Sequence, residues 1–245
     1  MTPLVVRPAI QAAELVQLLH QHGHAPLCCP LLETVAGSEL PLLPDLLRSA
    51  DAVIAVSIHA VHFAHDFLLQ TGQTWPHIEY FAVGQASADA FAAIGITASC
   101  PDDPRSEGLL ALPALQQVAG KRVLILRGGN GGRDLIASTL ASRGALVHYC
   151  AAYERHYPEL DGDTLTRHWQ AAGLDSLLIT SGELLQRLLE LVPTSQQPWL
   201  FDRLLVVPSP RVAEMASAAG FIHITIAQGA SNQALTAALE LRKME

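Results

Sequence analysis

The sequence predicts an α/β protein: two flavodoxin-like parallel-sheet lobes from an internal duplication. Three observations predict it. Apolar, strand-like runs alternate with helical segments along the chain, the pattern of a parallel sheet covered by helices. The same punctuation returns in the same order at an offset of about 120 residues, a period that suits duplicated domains and not a solenoid. The chain is 50% hydrophobic but only 5% aromatic, with Ala, Leu and Val abundant, which suits strands buried on both faces.

The elements follow in order. Leu4–Arg7 is a buried strand, and Gln11–His22 a helix closed by Gly23. Ala25–Val35 reads as a second strand, followed by Ala52–Ser57, Tyr80–Gly84 and Thr97–Cys100 with helices between. The second half repeats the series with Arg122–Leu126, Leu146–Tyr153, Ser176–Thr180, Leu204–Val207 and His223–Ile226. Matched landmarks are Arg7 with Arg127, Gly23 with Gly144, Ser57 with Ser181, Gly84 with Ser209, Gly95 with Gly220, and Ser106-Glu107 with Ser231-Asn232. Five strands per half is the count of a flavodoxin-like unit. The second strand of each repeat is overlong: Ala25–Val35 and Leu146–Tyr157 each approach a dozen extended residues, about 35–40 Å. Such strands have the length to leave one lobe and pair as a two-stranded hinge, with each lobe assembled from pieces of both repeats. Sequence alone leaves that swap open beside simple halves.

Composition narrows the function. The 245 residues suffice for two cores. A net charge of −8 argues against a nucleic-acid partner, which demands a basic surface. No apolar run has the length to span a bilayer, and Leu4–Val6 runs straight into Arg7-Pro8, unlike a signal peptide. Cys28, Cys29, Cys100 and Cys150 lack metal or redox spacing and read as reduced, mostly buried thiols of a cytoplasmic protein. His20, His22 and His24, and again His59, His62 and His65, invite a metal reading, but neither set has converging ligands, so they read as surface or capping histidines.

Chemistry belongs beyond the carboxyl ends of the strands, against helix N-termini, whose unpaired N–H groups receive anions. The turns there are Arg7-Pro8, Ser57, Gly84–Ser87, Arg127–Arg133, Thr180–Gly182, Ser209–Arg211 and Gly229–Asn232. Any single Ser or Thr among them is more simply a helix cap; only the recurrence in both halves favours a ligand site. GGNGGRD (Gly128–Asp134) is a tight turn able to receive a carboxylate, and it lacks nucleotide-binding spacing. Tyr153, in Tyr153-Glu154-Arg155 at the end of the long strand, has two readings: a half-buried edge residue, or a neutral phenol able to donate a proton.

The ordered set Arg7-Pro8, Ser57, Ala82–Gly84, Ser106–Leu110, LILRG with GGRD, Tyr153-Glu154-Arg155, ITSGE, Gly220-Phe221 and Ala230–Leu235 resembles the uroporphyrinogen-III synthase family over essentially the whole chain. The resemblance implies two lobes joined by a two-stranded ladder: residues 1–33 with 160–245 in one, 37–153 in the other, and 30–37 and 151–160 as hinge strands. It implies a hydro-lyase that closes linear hydroxymethylbilane to uroporphyrinogen III, with ring D inverted and water lost, and with no cofactor. Tyr153 becomes the expected donor or orienter for the leaving hydroxyl. Arg7, Ser57, Ser87, Arg127, Gly128, Arg155, Thr180, Ser181, Gly182, Ser209, Arg211 and Ser231 become the expected substrate contacts. A monomer is expected, with transient contact to the upstream hydroxymethylbilane synthase. Ser87 stands where relatives often carry threonine, and Pro208 replaces a common glycine, removing one donor. The rival readings are a non-catalytic two-lobed binding or sensor protein and, more weakly, a flavin-binding module.

Overall fold

The computed structural model describes residues 1–129 and 134–243. These form ten strands: β1 (Pro3–Val5), β2 (Leu27–Cys28), β3 (Glu33–Ala36), β4 (Ala52–Ala55), β5 (Glu79–Ala82), β6 (Arg122–Gly128), β7 (Leu146–His156), β8 (Ser176–Leu178), β9 (Leu204–Val207) and β10 (Ile224–Ile226). The chain divides into two compact units, Met1–Glu33 with His156–Glu245, and Thr34–Arg155.

In the first unit the sheet order is β10-β9-β8-β1-β2, and every pairing is parallel. Parallel strands must be covered on both faces, and the alternation of side chains decides which face each residue serves. Leu4, Leu177, Leu205 and Val207 pack into one cluster with Trp169, Leu184 and Leu188, while Val5, Leu178 and Val206 pack into another with Leu15, Leu235 and Leu239. Burying each such side chain stabilises the fold by about 1.5–3 kcal/mol.

The second sheet has the order β3-β7-β6-β4-β5. Val53 and Ala55 of β4 with Leu124 and Leu126 of β6 face a cluster containing Leu47, Val61 and Phe91. Ala52 and Ile54 with Val123 and Ile125 face the opposite one, containing Leu109, Leu115 and Ile136. Once β6 and β7 are read as counterparts of β1 and β2, and β4 and β5 as counterparts of β8 and β9, four strands of each sheet follow one order, with β10 added beyond β9 in the first and β3 beyond β7 in the second. Each sheet therefore combines strands from both sequence halves. That arrangement is compatible with duplication followed by exchange.

Two sequence expectations are corrected. Ala25–Val35 is not one strand. It breaks into β2, beside β1, and β3, beside β7, so that the segment passes from one sheet to the other. Pro30 stands at the break and has no N–H to donate, while the N–H groups of Cys29 and Leu31 still reach Val5 and Val6. Thr97–Cys100 is reduced to a single bridge, Ser99 with Phe81, because Pro101 follows at once and cannot extend the ladder. By contrast β7 runs unbroken for 11 residues.

The cysteines and histidines also differ from expectation. All four thiols are free, but only Cys29 and Cys150 are buried; Cys28 is exposed at the end of an edge strand. Burial pushes the Cys29 thiol up to about 11 and the Cys150 thiol up to about 12. His24 is buried and paired with Glu240, and His59 is half-buried, so neither is a surface or capping residue. Among the described residues no group of three or more His, Cys, Asp or Glu has the geometry to hold a metal ion, and no helix is long and apolar enough to cross a membrane.

Candidate active site

In the second unit, the expected residues lie at the carboxyl edge of the sheet, where Ser57 and Gly128 meet Tyr153. The β6–β7 register shifts between Arg127 and Gly128: Arg127 faces Ala151, but Gly128 faces Tyr153. An irregularity of this kind turns a side chain away from simple alternation. Tyr149 packs in the cluster on one face, whereas Tyr153, four residues on, packs against the cluster on the other. Gly128 makes room for it. A Cβ on Gly128 would stand 2.8 Å from the Tyr153 ring and 3.1 Å from its hydroxyl. The Gly129 N–H donates to the Tyr153 carbonyl at 2.7 Å and fixes the backbone there.

The phenol oxygen accepts a hydrogen bond from the Ser57 hydroxyl at 3.2 Å. Ser57 is the N-cap of the helix Ile58–Gln70, and its Oγ accepts the Ala60 N–H at 3.2 Å. His59 and Phe63, one helical turn apart, flank the phenol, with ring centroids 5.6 and 6.3 Å away. Burial holds His59 below its ordinary value, and the charges of His62 and Arg155 push the same way. Next to Tyr153, Glu154 accepts from the Ser38 N–H (3.0 Å) and hydroxyl (2.6 Å), and those bonds hold its carboxyl below the usual range. Arg127 lies over the Tyr149 ring at 3.8 Å, with one nitrogen 3.8 Å from Asp134. Ser87 is buried one turn into the helix capped by Gly84, its N–H bonded to the Gly84 carbonyl. Arg155 is exposed. Residues 130–133 of GGNGGRD lie outside the described residues.

The first unit places its expected residues at the carboxyl edge of its own sheet. Arg7 follows β1 and donates to Asn232 Oδ1 at 2.5 Å; Asn232 in turn donates to Glu14 at 3.3 Å. Burial lowers the Arg7 pKa, and Glu14 opposes that shift. Arg7 and Arg127, matched in the two repeats, each bury an Nε with no hydrogen-bond partner among the described residues. Thr180 and Ser181 follow β8, and Ser181 caps the helix Gly182–Leu191 by accepting the Leu184 N–H at 3.2 Å. Gly182 packs under Met215. Ser209 precedes the helix Pro210–Ala219 without a side-chain cap bond, and Arg211 is exposed in its first turn. Ser231 accepts the Ala234 N–H at 3.2 Å at the start of the helix Asn232–Lys243.

A sequence profile described as "Uroporphyrinogen-III synthase HemD" matches residues 13–237. The chain is 43% identical to a uroporphyrinogen-III synthase of Salmonella typhimurium, with 98% of this chain and all of the relative covered. It is 42% identical to that of Escherichia coli at the same coverage. The chain belongs to the uroporphyrinogen-III synthase family. Solved uroporphyrinogen III synthases share the fold: one from Thermus thermophilus at a TM-score of 0.58 and 19% identity, covering 100% of this chain and 98% of that one. A Helicobacter pylori structure gives 0.53 at 18% identity, covering 89% and 92%. Membership of this enzyme family sets aside the sensor and flavin readings.

Sequence reasoning missed the surroundings of the family tyrosine. His59 and Phe63 were legible only as an i, i+4 pair after a cap serine, a pattern shared by countless helices. Gly128 was expected as a backbone donor; the structure adds that its missing Cβ leaves the volume the phenol fills. Asn232 as the partner of Arg7, across 225 residues of chain, had no local signal.

Proposed function

We propose that this protein closes hydroxymethylbilane to uroporphyrinogen III, turning over ring D and releasing water, with Tyr153 as the proton donor to the departing hydroxyl. The observation that carries this reading is the hydroxyl pair Ser57–Tyr153 at a helix N-terminus. The Ser57 hydroxyl donates to the phenol oxygen while its own oxygen accepts the Ala60 N–H. Tyr153 thereby keeps its own O–H for a third group. When that proton leaves with the hydroxyl as water, the C–O bond breaks and a cationic, electron-rich pyrrole remains. The Ser57 hydroxyl and the positive end of the helix favour the charge left on the phenol oxygen. The substituted carbon of ring D then forms the new bond, the spiro intermediate fragments and recloses, and the proton released on final aromatisation restores the phenol.

The substrate is a polycarboxylate and the protein is acidic, so its recognition rests on local donors. We assign that part to Arg7, Thr180, Ser181, Gly182, Ser209, Arg211 and Ser231 in the first unit. In the second unit we assign it to Ser57, Ser87, Arg127, Gly128 and Arg155. The capping turns support this, since helix N-termini receive anions. We take the protein to act as a cytoplasmic monomer receiving its unstable substrate by transient contact with hydroxymethylbilane synthase. The instability of the linear substrate, which closes unaided to isomer I, supports a rapid handover.

A coupled assay tests the reaction. Hydroxymethylbilane is generated in situ, the products are oxidised, and isomers I and III are separated. Isomer III is expected to predominate, and Tyr153→Phe is expected to lower turnover about 10²-fold without abolishing it. Isomer I alone, from folded protein, would overturn the proposal.

A further inference from the structure

Tyr153 is only partly buried, and its hydroxyl needs a fixed direction to serve a leaving group. Geometry of this kind is demanding: a misplacement of about 1 Å costs on the order of 10²-fold in rate. The β6 side of the ring offers no side chain, because Gly128 stands there. Lateral support comes instead from the helix Ile58–Gln70, whose cap Ser57 holds the hydroxyl and whose first turns bring His59 and Phe63 beside the ring.

We propose that His59 is a positioning residue for the reaction, its imidazole fixing the ring of Tyr153 so that the phenol O–H meets the leaving hydroxyl. The inference rests on the reading of Tyr153 as proton donor and extends it to a residue outside the expected set. Phe63 stacks nearly parallel to the phenol, at 23°, while His59 meets it tilted at 59°, so the two rings restrain different motions. The phenol has two soft side-chain torsions, and one stacked neighbour alone leaves sliding within the stacking plane unopposed. Burial and the nearby charges of His62 and Arg155 favour the neutral imidazole, the form that packs against an aromatic ring without a desolvated charge.

A double-mutant cycle on the full chain tests it, read as isomer III formation. His59→Ala is expected to lower kcat about tenfold with KM within about twofold, and to cost less than about twofold when it is combined with Tyr153→Phe. His59→Phe, which keeps a ring at that place, is expected to stay within about twofold of the parent. His59→Gln provides a second loss of the ring should the alanine variant not fold, and is expected to follow alanine. Equal losses with and without the Tyr153→Phe substitution would overturn the positioning role while leaving Tyr153 as donor intact. Equal activities of His59→Gln and His59→Phe would do the same. No effect of Tyr153→Phe alone would overturn the donor reading and the inference together.

Discussion

Two glycines among the expected substrate contacts divide sharply once their neighbours are known. At Gly128 a Cβ meets the Tyr153 ring at 2.8 and 2.9 Å, and that ring is wedged by Ser57, His59 and Phe63. Gly128→Ala is therefore expected to cost about 1–3 kcal/mol and to lower turnover, since the phenol has to move. At Gly182 the obstruction is the Met215 sulfur and terminal methyl, at 2.9 Å, the free end of a flexible side chain. Gly182→Ala is expected to change stability by less than about 1 kcal/mol, because the methionine swings aside and alanine suits a helix better. Urea unfolding midpoints of the two variants check the contrast. Tyr153 itself shows how far residue reading reaches. Its presence was legible from the family motif, but alternation along β7 puts it on the Tyr149 face. Only the shift of register at Arg127/Gly128, invisible in the sequence, brings it to Ser57.

At the scale of elements, three serines that look alike in sequence do different work. Ser57 and Ser181 each accept a backbone N–H in the first turn of their helices, whereas Ser209 makes no such bond and is followed by proline at the first helical position. Ser57→Ala and Ser181→Ala are each expected to cost about 1 kcal/mol, and Ser209→Ala much less. Thermal or urea unfolding of the three variants distinguishes them. Central strands such as β4, β6 and β9 were legible because strands buried on both faces read as unbroken apolar runs. Edges were not. Thr97–Cys100 carries the same β-branched and small residues as a strand, yet Pro101 limits it to one bridge. The break at Pro30 looks in sequence like a residue at a tolerant edge.

For the whole molecule, the notable fact is that one unit is continuous and the other is not. Thr34–Arg155 holds both hydrophobic clusters of its sheet and also Ser57, His59, Phe63 and Gly128, the described neighbours of Tyr153 named above. A fragment of residues 34–155 is expected to fold alone and to unfold cooperatively in urea; a broad, non-cooperative loss of circular dichroism would contradict this. The paired sheet orders, legible only as a possible swap in the sequence, required knowing which strand neighbours which. The other unit has a history in time. Its strand β1 lies between β2 and β8, so the apolar residues Leu4–Val6 leave the ribosome long before one of their two neighbours exists. At about 5–20 residues per second, synthesis of the segment between β1 and β8 takes on the order of 9–34 s. During those seconds one side of the strand is a sticky edge, and its guardians in the cell are whatever binds nascent apolar chain.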